Sequence, residues 1–307
     1  MSAPSGRPAR KEAGIISPVN AVPPRRLLLL FHPKAENAEA TAEAMRRYCA
    51  DQAGLTAEAL AIENPQAREQ LAATDLLVVL GGDGSMLRAG RLAAPYGVPV
   101  LGVNMGRLGF LAEVQPGEWR DVLKRVLAGD FWVEERMLLH VEHWRDARQL
   151  SAQDGLNEAV VGRGALAPPA RLRTLIDGYE LTTYVADGLI LATPTGSTAY
   201  ALAAGGPILP PELRNILLIA IAPHLSLDRA IVLAQGATVE VIPFTDAEHD
   251  ALLIVDGQAR EALRDGDSVR VRMSDRLARF VRVRPSTYFY ASLMARMRSN
   301  PSAQIQR

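Results

Sequence analysis

The sequence predicts an α/β domain with a parallel sheet flanked by helices, followed by a mostly-β domain, and three observations predict this order. Apolar runs alternate with helical patterns between residues 26 and 129, which is typical of parallel strands covered by helices. From residue 131 onward, short strand-like segments are separated by turn residues. A last apolar segment, residues 288–297, has helical spacing, so we expect this C-terminal helix to return to the first domain.

The predicted domain boundaries lie where these patterns change. Residues 1–24 are rich in Pro, Ala and Ser, and we expect a disordered tail because such a segment buries too little apolar surface to fold. We expect the α/β domain over residues 25–130, with residues 286–307 packing back on it. The β-rich domain is expected over residues 131–285.

Individual elements are predicted by apolar runs and helical spacing. One helix is delimited by Pro116 and Gly129, since proline is favoured at a helix start and glycine just past its end. The other elements expected in the first half are strands at 26–32, 75–80 and 98–103, a helix at 36–52 and a helix from Ser85 onward. Those expected in the second half are strands at 216–222, 237–242, 251–255, 268–271 and 278–283, with a short helix at about 197–204.

The composition argues against several classes of protein. The chain has 307 residues, of which 48% are hydrophobic and 22% charged, as in an ordinary globular protein. No apolar run approaches the roughly 20 residues that span a bilayer, so we expect no membrane partner. The 34 basic and 34 acidic residues balance, which argues against a nucleic-acid partner. The single cysteine, Cys49, excludes an internal disulfide and favours a reducing, cytoplasmic location.

Two apolar strands each run into a loop that could hold a polar ligand. Leu189–Ala192 precedes residues 193–198, where three threonines and one serine can donate and accept hydrogen bonds. Leu77–Leu80 precedes Gly81-Gly-Asp-Gly84, where glycine lets the backbone approach a bulky anion. Asp83 has two interpretations, a ligand for a cation or hydroxyl, or the N-cap of the following helix. With only three lysines in the chain, a phosphate site would use arginines, backbone amides, hydroxyls or metal ions.

The glycine turn matches neither of two common nucleotide-binding motifs. Leu87 stands where a dinucleotide-binding fingerprint has its third glycine or alanine. No Gly-x4-Gly-Lys-Ser/Thr sequence is present, which excludes a P-loop nucleotidase. The histidines have no zinc-ligand spacing, so no structural metal site is expected.

Five segments in order form a combined motif: Gly81-Gly-Asp-Gly-Ser85, Asn104-Met-Gly-Arg-Leu-Gly-Phe-Leu111, Asn157-Glu158, Asp187-Gly-Leu-Ile-Leu-Ala-Thr-Pro-Thr-Gly-Ser-Thr-Ala-Tyr200 with Gly205-Gly-Pro207, and Asp256-Gly-Gln258. In these segments the chain resembles the NAD kinases, and their bacterial branch in particular, from about residue 26 to residue 297. The Gly-Gly-Asp-Gly turn also resembles 6-phosphofructokinases and diacylglycerol-type lipid kinases, whereas the threonine-rich block is far more specific. The Gly-Thr-x-Asn-Asp element that lipid kinases usually add is absent from the sequence.

The resemblance implies transfer of the γ-phosphoryl group of ATP to the 2′-hydroxyl of the adenosine ribose of NAD, which forms NADP. It implies that Asp83 is catalytic, contacting this hydroxyl and accepting its proton, and that Gly81, Gly82 and Gly84 form a phosphate loop. It also implies Mg²⁺ bound with ATP and a homodimer or homotetramer. On this basis, residues 25–130 would bind nucleotide and residues 131–285 would bind NAD.

Further substrate-binding residues are implied by the resemblance, each with a plain structural alternative. Asn157 and Glu158 would bind an adenine edge and ribose hydroxyls, although the pair alone suits a polar turn. Asp187 would accept a hydrogen bond from the nicotinamide end, although Asp-Gly is typical of turns. Arg88 is a candidate from its position alone: one helical turn beyond Asp83, it would contact a phosphate or lie on a solvated helix face. The remaining implied contacts are Gly84, Thr195, Thr198, Ala199, Tyr200 and Gln258.

The alternatives for those last positions are also structural. Tyr200 equally suits a packed aromatic residue whose hydroxyl is satisfied, and Gln258 equally suits a hairpin turn. Two other functions stay open, a lipid or sugar kinase of the same superfamily and a dinucleotide sensor without turnover. An intact glycine loop with Asp83 argues against the sensor. Polyphosphate in place of ATP, and NADH in place of NAD, also stay open.

Overall fold

The computed structural model describes residues 22–285 apart from 53, 107–108, 165–167, 225–227 and 245–250, together with residues 289, 290 and 293. The α-helices in these ranges are α1 Ala38–Ala50, α2 Gln66–Gln70, α3 Asp83–Ala93, α4 Trp119–Leu127 and α5 Tyr200–Ala203. The strands are β1 Arg26–Phe31, β2 Thr56–Ala61, β3 Leu76–Gly81, β4 Val100–Asn104, β5 Trp132–Arg145, β6 Arg148–Gly155, β7 Glu158–Arg163, β8 Ala170–Ile176, β9 Tyr179–Ala186, β10 Gly188–Ala192, β11 Leu217–Ile221, β12 Ile231–Val232, β13 Val239–Phe244, β14 Ala251–Val255, β15 Ala259–Leu263 and β16 Ser268–Arg282.

A parallel sheet forms the first half of the molecule. Its strands lie in the order β2-β1-β3-β4, and each neighbouring pair is parallel. α1 and α4 cover one face through residues such as Met45 and Trp119, while α3 covers the other through Met86 and Ala89. Every residue of β3 is buried as a result. The predicted α/β architecture is confirmed.

Strand β16 joins the parallel sheet to the β-rich half. It pairs in parallel with β4 at Phe280 and Val100, and it is antiparallel to β5 and β13. From β16 the sheet continues through β13 and β8 to β9, while β6 pairs with β5. Within the described residues, one ten-stranded sheet therefore runs through both halves.

A second, antiparallel sheet packs on the β-rich part of the first. Its strand order is β12-β11-β10-β7-β14-β15. The core between the sheets contains Leu139 and Leu172 from the first sheet and Leu191 and Leu253 from the second. The predicted mostly-β second half is confirmed. Because this packing holds β7 and β10 side by side, the turns at their ends have fixed relative positions.

Several elements differ from their prediction in detail. The two strands predicted at 268–271 and 278–283 are parts of the single strand β16, since residues 274–276 form an irregularity in its pairing with β5 and not a turn. The edge strand β2 was not predicted, because every residue in it except Leu60 is polar or small. Most of the C-terminal segment 286–307 and of the tail 1–24 lies outside the described residues, so both of those expectations stay predictions.

Candidate active site

The glycine turn follows β3 at the carboxyl edge of the parallel sheet. Gly82 is extended, with φ −95° and ψ −172°, and it is the N-cap of α3. A Cβ atom on Gly82 or Gly84 would meet no atom within 4 Å, so the space above both residues is open. Gly81 is buried against Ser85 instead. The unpaired amides at the start of α3 favour an anion such as a phosphate group in this open space.

Asp83 is the first residue of α3, and its carboxylate binds the loop that follows β4. Oδ2 accepts a hydrogen bond from the Phe110 amide at 2.7 Å, and Oδ1 accepts one from the Leu111 amide at 3.1 Å. Gly109 passes so close that a Cβ there would overlap this carboxylate. The N-cap interpretation of Asp83 is wrong, because Gly82 occupies that position. The two amides instead fix the orientation of the carboxylate.

A cleft of about 520 Å³ opens beside the glycine turn. Gly82, Gly84 and Arg88 line it from the first half of the molecule. Gln258, in the turn between β14 and β15, lines it from the second half, and Lys34 lines it after β1. Two residues predicted from separate motifs, Arg88 and Gln258, therefore share one space with the glycine turn.

The threonine-rich turn, residues 193–198, follows β10 and packs against the segment that precedes β7. Thr193 Oγ1 donates to the Leu156 carbonyl at 2.6 Å, and the Thr193 amide donates to the Asn157 carbonyl at 2.8 Å. A Cβ on Gly196 would overlap the backbone of Asn157, so this close approach requires glycine. The threonine-rich turn is therefore locked onto the Asn157-Glu158 pair.

The other hydroxyls of the threonine-rich turn are also used within the protein. Ser197 Oγ donates to the Pro194 carbonyl at 2.6 Å and accepts from the Leu209 amide at 2.9 Å. Thr198 Oγ1 donates to the Thr195 carbonyl at 3.1 Å. These hydroxyls stabilise the turn itself, so most of the polar groups that suggested a ligand site are already occupied.

Asp256 anchors the segment that carries Asn157 and Glu158. Its carboxylate accepts hydrogen bonds from the three successive amides of residues 156–158, at 2.9, 2.7 and 3.1 Å. Arg91 of α3 lies beside it, with Nε 3.3 Å from Asp256 Oδ2 and Nη2 donating to Gln258 Oε1 at 2.9 Å. Asp256 and Arg91 thus join α3 to the second sheet. Neither residue was predicted for the site.

Glu158 is a buried carboxyl group with an unused acceptor. Glu158 is the first residue of β7 and is 8% exposed. Burial, with the nearby charge of Asp256, raises the pKa of Glu158 to about 7, although a hydrogen bond from the Tyr200 amide acts to lower this pKa. Within the described part of the chain, Glu158 Oε2 has no hydrogen-bond partner. It can therefore accept a hydrogen bond from a ligand hydroxyl.

Asp187 lies away from this group of residues in the single chain. It precedes β10, whereas the threonine-rich turn follows β10, and five strand residues at ~3.3 Å each separate them by roughly 16 Å. Asp187 Oδ1 accepts a hydrogen bond from Arg163 Nε at 2.7 Å. The Tyr200 side chain is exposed, and Ala199 is partly buried beside it. The structure thus brings the other predicted segments together but leaves Asp187 apart.

An ion cluster lies buried between the glycine turn and the threonine-rich turn. Its members are Glu113, Glu134, Arg136 and Arg282, which are 5%, 8%, 4% and 7% exposed. Arg136 Nη2 donates to both oxygens of Glu134 at 3.0 Å, and Arg282 Nη2 lies 2.7 Å from Glu134 Oε2. Burial acts to raise the pKa of Glu134, but the charges of Arg282 and Arg136 lower it to about 2. Glu134 therefore stays ionised between two cations.

The buried ion cluster contacts the threonine-rich turn directly and the glycine turn through Leu111, and it was not predicted from the sequence. The alternation after residue 131 puts apolar residues at odd positions, so the charged Glu134 and Arg136 fell on the face expected to be polar. Leu138, on the same face, is fully buried, and this apolar residue was the one available sign that the face is covered.

Comparisons with known proteins match both halves of the chain. The family described as ATP-NAD kinase N-terminal domain matches residues 28–131, and the ATP-NAD kinase C-terminal domain matches residues 156–283. The NAD kinase of Chloroflexus aurantiacus is 39% identical over 273 residues, covering 89% of this chain and 98% of that protein. This chain belongs to the ATP-NAD kinase family.

Other members of the ATP-NAD kinase family are similar in sequence and in structure. The NAD kinase of Heliobacterium modesticaldum is 43% identical over 233 residues, covering 76% of this chain and 82% of that protein. A yeast NADH kinase solved with NADH has a TM-score of 0.78 at 25% identity and covers 93% of this chain and 91% of its own. An NAD kinase from Archaeoglobus fulgidus solved with ATP has a TM-score of 0.71 at 27% identity and covers 90% of this chain and 99% of its own.

Among the residues that the structure describes, no group of three or more His, Cys, Asp or Glu is placed to hold a metal ion. A metal ion that binds together with ATP is held mainly by the phosphates and needs only one or two protein carboxylates. ATP-dependent phosphoryl transfer therefore does not require a cluster of three protein ligands. No helix in the described ranges combines the length and apolar character needed to cross a membrane.

Proposed function

We propose that this ATP-NAD kinase family member transfers the γ-phosphoryl group of ATP to the 2′-hydroxyl of the adenosine ribose of NAD, with Asp83 as the catalytic residue. The observation that carries the assignment of Asp83 is its position. The carboxylate is held by the Phe110 and Leu111 amides at the start of α3, next to the open space above Gly82 and Gly84.

Asp83 would orient the acceptor and take its proton. A carboxylate is a weak base toward a ribose hydroxyl, so proton transfer accompanies bond formation between the hydroxyl oxygen and the γ-phosphorus. The bond from this phosphorus to the ADP oxygen breaks, ADP leaves, and the proton is on Asp83. Because the transition state of phosphoryl transfer is loose, in-line positioning and charge neutralisation supply most of the acceleration.

The donor phosphates would lie in the cleft beside the glycine turn. Phosphates can approach the backbone of Gly82 and Gly84, because a Cβ on either would meet no atom within 4 Å, and Arg88 and Lys34 bring positive charge to the same cleft. We propose that Gly81 allows the close packing of β3 on Ser85, since it is buried and a Cβ there would overlap the Ser85 side chain. Mg²⁺ bound with ATP would neutralise charge on the transferred group, and Glu36 and Glu63 are carboxylates that line the cleft.

The NAD acceptor would lie against the second sheet. Glu158, with its free Oε2, would accept from ribose hydroxyls, and Asn157 would bind the adenine edge. Gln258 reaches the cleft from the same side. Ala199 and Tyr200 would line the pocket, together with Thr195 and Thr198, whose own hydrogen bonds make them shaping residues more than donors to the ligand.

Asp187 could contact the nicotinamide end of NAD only in an oligomer of this chain. It lies at the far end of β10 from the threonine-rich turn, so a contact with the same NAD would come from a second subunit. This agrees with the homodimer or homotetramer that the resemblance implies. The single cysteine, Cys49, is free and buried, which supports the proposed cytoplasmic location.

One assay of the purified protein tests the function. NAD and NADH are each incubated with ATP and with polyphosphate, with and without Mg²⁺, and formation of NADP or NADPH is measured. We expect NADP with ATP and Mg²⁺. Phosphorylation of diacylglycerol or fructose 6-phosphate without NADP formation would favour the superfamily alternative. Binding of NAD without any turnover would favour the sensor.

A further inference from the structure

The buried ion cluster is a costly arrangement for a protein interior. Removing a charged group from water costs several kcal/mol even after relaxation, and apolar residues of similar volume often stabilise a core equally well. Two arginines and two glutamates are nevertheless buried here among apolar neighbours such as Leu138 and Phe280. Stability is therefore a poor explanation for the cluster, and the contacts at its two ends suggest another.

One end of the cluster reaches Asp83 through a single residue. Leu111 donates its amide to Asp83 Oδ1 at 3.1 Å, and its carbonyl accepts from Arg282 Nη1 at 2.6 Å. The charges of Arg282 and Asp83 also attract each other. Arg282 itself is held over the ring of Phe280, 5.5 Å from its centroid. A shift of Arg282 would thus move the amide that orients the Asp83 carboxylate.

The other end of the cluster reaches the threonine-rich turn. Arg136 Nη1 donates to Thr195 Oγ1 at 3.1 Å. Glu134 connects the two ends, since it binds Arg136 through both oxygens and Arg282 through Oε2. Glu134 and Arg136 lie on β5 and Arg282 lies on β16, two strands that pair with each other. The cluster is therefore a continuous hydrogen-bonded path from Asp83 to Thr195.

We propose that Glu134 is a positioning residue for phosphoryl transfer, which holds Arg282 and Arg136 so that the Asp83 carboxylate and the threonine-rich turn keep one relative geometry. This inference rests on the proposed function, with Asp83 as the residue through which Glu134 acts. The physical reason is that small displacements of a reacting group have large effects on rate: about 1 Å can cost ~10²-fold.

A kinetic double-mutant cycle tests the proposal. Glu134→Gln keeps the size of the side chain but removes the charge that holds both arginines. Steady-state kcat and KM for NAD and for ATP are measured for the wild type, Glu134→Gln, Asp83→Asn and the double variant. We expect Glu134→Gln to lower kcat roughly 10–100-fold with each KM changed by less than about threefold. In the Asp83→Asn background the same change should lower kcat by no more than about twofold.

Asp267→Asn is the matched control. Asp267 is also a buried carboxylate, 1% exposed, that accepts from an arginine and a histidine, but its partners Arg145 and His143 lie on β5 in the β-rich half, beyond the cluster. We expect Asp267→Asn to lower the melting temperature while leaving kcat of the folded enzyme within about twofold. The comparison of the two variants distinguishes the effect of losing a buried ion pair, which is on stability, from the effect of losing the position of Asp83, which is on kcat.

Three results would overturn the proposal: an unchanged kcat in folded Glu134→Gln, an equal loss of kcat in both Asp83 backgrounds, or a loss confined to KM. If Glu134→Gln does not fold, Arg282→Lys decides, because lysine keeps the charge but cannot join Glu134 and the Leu111 carbonyl as a fork. The same cycle and the same outcomes then apply. A wild type that forms no NADP would instead refute the proposed function.

Discussion

The glycine turn after β3 and the threonine-rich turn after β10 both follow a fully buried strand, but their polar groups are used differently. At the glycine turn, the space above Gly82 and Gly84 is open, and Asp83 is only partly buried. At the threonine-rich turn, the hydroxyls of Ser197 and Thr193 donate hydrogen bonds to backbone carbonyls of the protein. A dense cluster of hydroxyls can therefore be a device for building a turn, while one carboxylate beside open glycines is available for chemistry.

The largest expected effect is on turnover and comes from the glycine turn. Asp83→Asn should lower kcat by ~10²–10⁴, the scale of losing a general base, and leave NAD affinity within roughly tenfold. Asparagine has one acceptor oxygen, whereas Asp83 uses one oxygen for the Phe110 amide and the other for the Leu111 amide, so part of the loss would be in orientation. Steady-state kinetics and equilibrium NAD binding measure the two quantities.

Asp75→Asn is the control for that variant. Asp75 also accepts from two successive backbone amides, those of Arg25 and Arg26 at 2.9 and 2.8 Å, but at the opposite end of β3. It should leave kcat within about twofold. If both variants lost turnover equally, Asp83 would have a structural role only.

A substitution in the threonine-rich turn should lower the stability of the protein more than its turnover. Ser197→Ala leaves the buried Leu209 amide without its hydrogen-bond partner and removes one of the two donors to the Pro194 carbonyl, which should lower the free energy of unfolding by roughly 1–3 kcal/mol. Urea unfolding measures this change. We expect kcat of the folded variant to stay within about threefold, and a loss comparable to that of Asp83→Asn would remove the contrast between the turns.

Glu158 should make both stability and NAD affinity depend on pH near neutrality. Its pKa is about 7 in the folded protein and 4.5 in its ordinary state, so the folded state holds the proton more tightly. Its contribution to stability is therefore present below pH 4.5 and decreases as pH rises toward 7. Glu158→Gln lacks this loss, so its free energy of unfolding relative to that of the wild type should rise by roughly 1–3 kcal/mol as pH increases from 5 to 8.

The same titration should be visible in NAD binding. The ionised carboxylate accepts more strongly from ribose hydroxyls, so KM for NAD should fall as pH rises through about 7 in the wild type. Glu158→Gln should lack this step. An identical pH profile of KM in both proteins would mean that Glu158 does not contact the acceptor.

The smallest expected effect lies outside both turns. Deleting residues 1–21 should change the free energy of unfolding by less than about 0.5 kcal/mol and leave kcat unchanged, because the segment is rich in Pro, Ala and Ser and Val22 beyond it is 87% exposed. Thermal unfolding and an activity assay check this. A fall of several degrees in melting temperature would assign the segment to the fold.

The sequence predicted what depends on local pattern. The apolar runs Leu77–Leu80 and Leu189–Ala192 identified β3 and β10, and the residues that follow them identified both turns. Periodicity could not predict contacts between distant strands. Arg91 of α3 meets Asp256 and Gln258 in the turn after β14, and Glu134 meets Arg282 because β5 pairs with β16. Nor could a list of hydroxyl residues tell whether the turn or a ligand would use them.

The strand β16 limits how the molecule could respond to its substrates. Its backbone is hydrogen-bonded to β5 and β13 in the β-rich half, and at Phe280 it pairs with β4 of the parallel half. A hinge that swings one half over the other would have to bend or unpair this strand, in contrast to kinases whose lobes are joined by a flexible connection. We therefore expect the substrates to be enclosed by movements of loops and side chains at the rim, while the frame beneath them keeps its shape.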